Sequence, residues 1–212
     1  MLRTLKPYSF NMNFDALIIG GGVSGLQCAL VLGSAINKPF AIDKKIGIIV
    51  HQKASHLQNA LFNNVLGLSE KTIGKDILVE GRKQLSSLYP TISQLEKEKV
   101  ISVDASINGH IVVTNKNTYT AKIVVIALNY SKPFTIKGMD NFIEAHQKAN
   151  PEKDRIQLKN KDSLIKKGMY CCGTIAGCRS QFAIAAGSGA AVATDILTLW
   201  NDGNHVKIHD KI

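Results

Sequence analysis

Apolar and polar positions follow two periods along this chain, and the switches between them mark out its elements. Asp15 to Ile19 is a short apolar run closed by Gly20-Gly21-Gly22. From Val23 the apolar residues Leu26, Ala29, Leu30 and Leu32 recur at helical spacing, which predicts a strand, a glycine turn and a helix in succession. Phe40-Ala41-Ile42 reads as a second apolar strand ending at Asp43, and Ile46 to Val50 as a short strand or extended loop. Residues 51–64 mix both kinds of position, with Asn59, Asn63 and Asn64 as loop signals. Thr72 to Tyr89 carries Ile73, Ile77, Leu78, Leu85 and Leu88 at helical spacing, and Pro90 ends that helix. Val100 to Val103 and Ile111 to Val113 predict a hairpin about Asn108-Gly109, and Tyr119 to Leu128 predicts a fully buried strand.

Ser131 to Lys167 is polar, with Pro133, Gly138 and Pro151, and reads as a connector unable to bury a core of its own. One short strand is expected in it, near Ile156 to Leu158. Gly168 to Thr174 predicts a strand and turn, followed by a helix of small residues from Ser180 to Trp200. The order predicts an α/β fold: a Rossmann-like three-layer domain with a central parallel sheet and a small antiparallel β-meander. Residues 1–212 read as one domain, with 1–11 an extra N-terminal segment and Met12 a natural start.

The glycine turn is where chemistry enters. Gly20, Gly22 and Gly25 have the Gly-x-Gly-x-x-Gly spacing in its strand–turn–helix setting. The first permits the sharp turn, the second admits a pyrophosphate close to the backbone, and the third lets helix and strand pack closely. Free N–H groups at the start of that helix, including Val23 and Ser24, favour phosphate. Asp43, next to Lys44 and eighteen residues past Gly25, is then the expected carboxylate for an adenosine ribose.

Charge and cysteine usage narrow the picture. Lys+Arg number 26 against 16 Asp+Glu, a formal charge of +10 that suits an anionic cofactor or an acidic protein partner. The basic residues are scattered and carry no nucleic-acid motif, so nucleic acid is not an expected partner. No apolar run is expected to reach the length of a membrane span. The four cysteines, Cys28, Cys171, Cys172 and Cys178, form no Cys-x-x-Cys, and reduced thiols in a cytoplasm are expected. Cys171 and Cys172, adjacent in a strand, should face opposite sides of it. His205 and His209 lack a third ligand, so no metal site is expected.

From Asp15 to Leu197 the sequence resembles, in order, the thioredoxin-reductase-like branch of the FAD-dependent pyridine nucleotide–disulfide oxidoreductases. Asp15 to Asp43 resembles that family's FAD-binding start, and Asn64 to Gly67 the loop before its long helix. Ala127-Leu128-Asn129 stands where the family has Ala-Thr-Gly, and Gly173-Thr174 where it has Gly-Asp. The resemblance implies FAD as cofactor. Gly20, Gly22, Val23, Ser24 and Gly25 would then hold the pyrophosphate, Asp43 and Lys44 the adenosine, and Asn64 and Ala127 the groove. Gly173, Thr174, Gln181 and Phe182 would take the ribityl and isoalloxazine end. The inserted NADPH domain and its redox Cys-x-x-Cys are missing, and Ser131 to Lys167 fills the interval. Cys178 is the one cysteine placed by resemblance near the flavin. The resulting expectation is a single-domain flavoprotein in electron transfer, reduced by free NAD(P)H or by a redox protein partner. A non-catalytic FAD- or nucleotide-binding relic or assembly subunit, and a plain NAD(P)-binding Rossmann protein, are the alternatives. The oligomeric state is left open, a dimer included.

Overall fold

The β-branched runs and the helical periodicities resolve into twelve strands and three helices among the described residues, which are 10–51 and 55–208 of a computed structural model. Residues 1–9 of the leading segment and His209 lie outside them. In chain order the elements begin with β1 (Phe10–Ile19), α1 (Val23–Ser34), β2 (Ile46–Val50), β3 (Leu61–Phe62), β4 (Thr72–Ile73), α2 (Gly74–Leu88) and β5 (Ser93–Glu96). They continue with β6 (Val100–Ser106), β7 (Gly109–Thr114), β8 (Thr118–Ile126), β9 (Ile143–Ala145), β10 (Ile156–Leu158), β11 (Leu164–Lys166), β12 (Met169–Cys171) and α3 (Phe182–Trp200).

The main sheet runs β11–β12–β8–β1–β2–β5. Its five strands from β12 to β5 are parallel, as the crossovers through α1 and α2 require. β6 and β7 complete an antiparallel meander with β8. Side chains alternate across this sheet. Ala16, Ile18, Ile123 and Val125 pack with the helices on one side. Leu17, Ile19, Val124 and Ile126 pack under the meander and residues 134–158 on the other. The three-layer α/β architecture is therefore present. Cys171 and Cys172 follow the same alternation, one in each core, as their adjacency predicts.

α1 and α3 lie unusually close, because small residues line their contact. A Cβ on Gly189 would stand 2.0 Å from the Ser24 carbonyl oxygen. α3 also corrects one expectation: it is long and apolar enough to cross a membrane by length and composition. Here its Val192, Ala193, Ile196 and Leu197 are spent on the core shared with α1.

Three further readings change. Phe40 to Asp43 is not a strand. Ala41 and Ile42 N–H both bond back to the Lys38 carbonyl, a helical-type turn that leaves Ile42 exposed. The second strand is the wholly buried run Ile46–Val50. β1 begins at Phe10, so the end of the leading segment is part of the sheet, paired with β8. Finally, residues 131–167 do more than connect. β10 forms as expected but pairs with β9, and Ile136, Met139, Ile156 and Leu158 enter the second core.

Candidate functional site

The parallel strands all end at one edge of the sheet, and at such an edge ligands bind. There β1 runs into Gly20, whose φ of +122° is a conformation that glycine adopts readily. A Cβ at Gly20 would also stand 2.3 Å from the Ala127 carbonyl oxygen. α1 then starts at Val23 with Gly22 as a cap that offers no side-chain bond and with no acid in the first turn. Its first N–H groups therefore face the cleft without a built-in anion.

α3 aims its N-terminus at the same place. Gln181 caps it, the side-chain oxygen accepting from the Ile184 N–H at 2.9 Å, and the first turn again holds no acid. Between these two helix starts lies an open cleft of about 220 Å³. Gly22, Val23 and Ser24 form one wall, Ala127, Leu128 and Asn129 the floor, and Gly173, Thr174, Gln181 and Phe182 the other wall. None of the described lining residues is charged, and the two helix N-termini contribute a positive potential there.

Thr174 is fixed from behind. His146 Nδ1 accepts the Lys148 N–H at 3.1 Å, which leaves Nε2–H to donate to the Thr174 carbonyl oxygen at 3.1 Å. Gly173 N–H donates to Ser188 Oγ of α3 at 2.9 Å, tying the turn to the helix.

A second cleft of about 140 Å³ lies on the other side of the Gly20 turn and shares Leu128 with the first. It is lined by the ends of β1 and β2, Ile19, Ile49 and His51 among them, and by Glu98, Lys99 and Val100 at the start of β6.

Eight of the expected cofactor residues thus meet in the first cleft: Gly22, Val23, Ser24, Ala127, Gly173, Thr174, Gln181 and Phe182. Gly20 and Gly25 shape it from behind. Three do not join them. Asp43 and Lys44 lie in the turn before β2, where Lys45 bonds to Asp15 in the middle of β1, at the start of β2 and away from the strand ends that carry the cleft. Five strand residues at ~3.3 Å each put that turn roughly 16 Å from Gly20. Lys44 instead places its ammonium 5.6 Å from the Trp200 ring, at the C-terminal end of α3. The carboxylate expected for the ribose is therefore not delivered by Asp43. Asn64 is exposed in the loop after β3 and lines neither cleft.

Cys178, the candidate thiol, sits past the turn of Gly173–Ala176, half-buried, and lines neither cleft either. The other three thiols are fully buried. Burial, and then the neighbouring Cys172, pushes the Cys28 thiol well up, and burial pushes Cys172 up to about 12 against the hydrogen bond from Ser24. Reactivity follows the thiolate. A disulfide reagent should accordingly modify one thiol rapidly in the native protein and four in denaturant; rapid reaction of more than one would contradict this burial.

The sequence did not point to Ser55, Leu57, Ala60 and Phe62, which line the first cleft. Phe62 packs its ring 5.2 Å from that of Phe182, and no pattern in the mixed stretch 51–64 foretells it.

Several solved structures share this fold. A thioredoxin reductase from Gloeobacter violaceus superposes with a TM-score of 0.70 at 14% identity, over 94% of this chain and 98% of that one. A ferredoxin-flavin thioredoxin reductase from Clostridium acetobutylicum gives 0.65 at 16%, over 90% and 98%. The atypical thioredoxin reductase TRi from Desulfovibrio vulgaris Hildenborough gives 0.66 at 14%, over 89% and 98%. A search of curated proteins finds no match to the sequence. The family model described as pyridine nucleotide-disulphide oxidoreductase matches residues 14–188, and with the strand–glycine–helix start and the converging α3 this chain belongs to that family.

Proposed function

We propose that this chain is a single-domain flavoprotein that binds FAD across the two neighbouring clefts and takes part in electron transfer. The observation that carries the reading is the convergence of two acid-free helix N-termini on one cleft whose described lining is uncharged, with a second cleft just across the glycine turn. The first would hold the pyrophosphate at α1 and the flavin end at α3, and the second the adenosine. The residues fit the group: the cleft opposes no carboxylate to phosphate, and the α3 N-terminus favours negative charge beside it. FAD, when bound, supplies the redox chemistry, and the protein binds and orients it. Thr174 offers a neutral hydroxyl toward the ribityl end, a weaker partner than a carboxylate.

With the clefts open to solvent, electrons would come from free NAD(P)H or from a protein that docks at the flavin. The formal charge of +10 suits an acidic partner. A second reading, a nucleotide-binding subunit without redox turnover, is favoured by Thr174 and by Leu128-Asn129.

The deciding experiment is the visible spectrum of the purified protein before and after anaerobic NADPH. Flavin bands that bleach support the redox reading. Bands that persist with NADPH but bleach with a reduced carrier protein identify a protein donor, and bands that persist with both favour the second reading. A colourless protein that takes up no added FAD removes the flavoprotein reading and leaves the cleft to another nucleotide or to none.

A further inference from the structure

The second cleft holds a carboxylate that no sequence pattern flags. Glu98 stands just before β6 and is 6% exposed. Its Oε2 accepts from the Thr114 hydroxyl at 2.7 Å, and its Oε1 from Asn117 Nδ2 and the Tyr119 hydroxyl, both at 2.8 Å. Burial, and then this carboxylate, pushes the Tyr119 phenol up to about 12, so that hydroxyl remains a donor. No lysine or arginine forms an ion pair with Glu98 among the described residues.

A carboxylate has about four acceptor positions. Three are taken, and the free one is on Oε2. Glu98 shares its cleft with Ile19, Gly20, Ile49 and His51, where β1 and β2 end. That is where the dinucleotide-binding pattern needs an acceptor for the ribose. Here β2 ends in Val50-His51, with no carboxylate, and Asp43 is at the opposite edge.

We propose that Glu98 is the ribose acceptor of the bound nucleotide, reaching from the start of β6 to a hydroxyl that the second strand leaves without a partner. Thr114, Asn117 and Tyr119 act as positioning residues that fix the carboxylate from behind. The inference rests on the nucleotide reading above, but the two fail separately.

The test is calorimetric binding of ADP, 2′-deoxy-ADP and 3′-deoxy-ADP to the full chain. For wild type, at least one deoxy analogue should bind about tenfold more weakly than ADP, as loss of a hydrogen bond to a charged group implies. In Glu98→Gln that penalty should shrink to about twofold. In Thr114→Val, which removes a donor that positions the carboxylate but keeps the carboxylate itself, it should fall to an intermediate value of about fivefold. A purely structural Glu98 would lower the melting temperature of both variants and leave the analogue ratio unmoved. The wild-type comparison needs no variant to fold. If both deoxy analogues match ADP while the protein binds FAD, the Glu98 assignment is overturned and the nucleotide reading stands. If neither ADP nor FAD binds, both fall.

Discussion

Gly25→Ala is expected to destabilise the protein by about 3 kcal/mol, near the upper end for overpacking of a close-packed site, and to abolish nucleotide binding. The added methyl would stand 1.9 Å from the Gly20 carbonyl oxygen and 3.2 Å from Ala127 Cβ. Neither neighbour can easily retreat. The Gly20 N–H bonds to Ile49 O at 3.0 Å, and the Ala127 N–H to Ile19 O at 2.9 Å, so both belong to the strand ends that carry the cleft. Either the helix withdraws or the turn opens, and both displace the N–H groups at the start of α1 that are proposed to meet phosphate. At this chain length the loss corresponds to a fall of about 10 °C in melting temperature. Gly187→Ala is the control. It lies mid-helix in α3 with nothing within 4 Å of the new methyl, and should stabilise by roughly 0.5–1 kcal/mol through helix propensity. The same chemical change thus takes opposite signs at two glycines. A Gly25→Ala protein that melts within a degree of wild type would show that helix and turn are less tightly apposed than described.

What could be read in advance follows from how local each signal is. Ile123 to Ile126 and the hairpin about Asn108 announce themselves within a few residues; the strand forms where expected, and the hairpin turns at Ile107-Asn108, with Gly109 already paired to Ser106. The glycine cluster with α1 is equally local, as are the small residues of α3. Asp43 misled because Phe40-Ala41-Ile42 imitates a strand end. The two bonds back to Lys38 that make it a turn depend on where α1 stops. β5 was missed because Ser93 to Glu96 carries too little apolar pattern; its place at the edge of β2 is a tertiary fact. Glu98 was invisible for a related reason. Its donors are sixteen to twenty-one residues away, and only the meander brings Thr114, Asn117 and Tyr119 to it. The glycine-turn side of the first cleft was therefore legible, and the second cleft was not.

Val23→Asp should leave stability nearly unchanged while weakening FAD binding at least about a hundredfold. Val23 is the first residue of α1, half-buried on the wall of the larger cleft. A carboxylate there gains about 0.3–1 kcal/mol from the helix dipole, which offsets much of the modest apolar burial given up. The ligand meets the opposite effect. A second anion about 5 Å from a phosphate, at an effective dielectric constant near 20, costs roughly 3 kcal/mol for each pair of charges. It also takes up the N–H groups that the phosphate would use. Val23→Asn separates charge from shape, since it removes the same apolar surface and adds no charge. Titration of FAD by its fluorescence quenching should show the asparagine variant within about tenfold of wild type, and the aspartate variant should recover little with added salt at a partly buried site. Equal losses in the two variants would mean that the wall acts through packing. The helix start would then not be the anion site, and the case for a pyrophosphate between α1 and α3 would lose its main physical support.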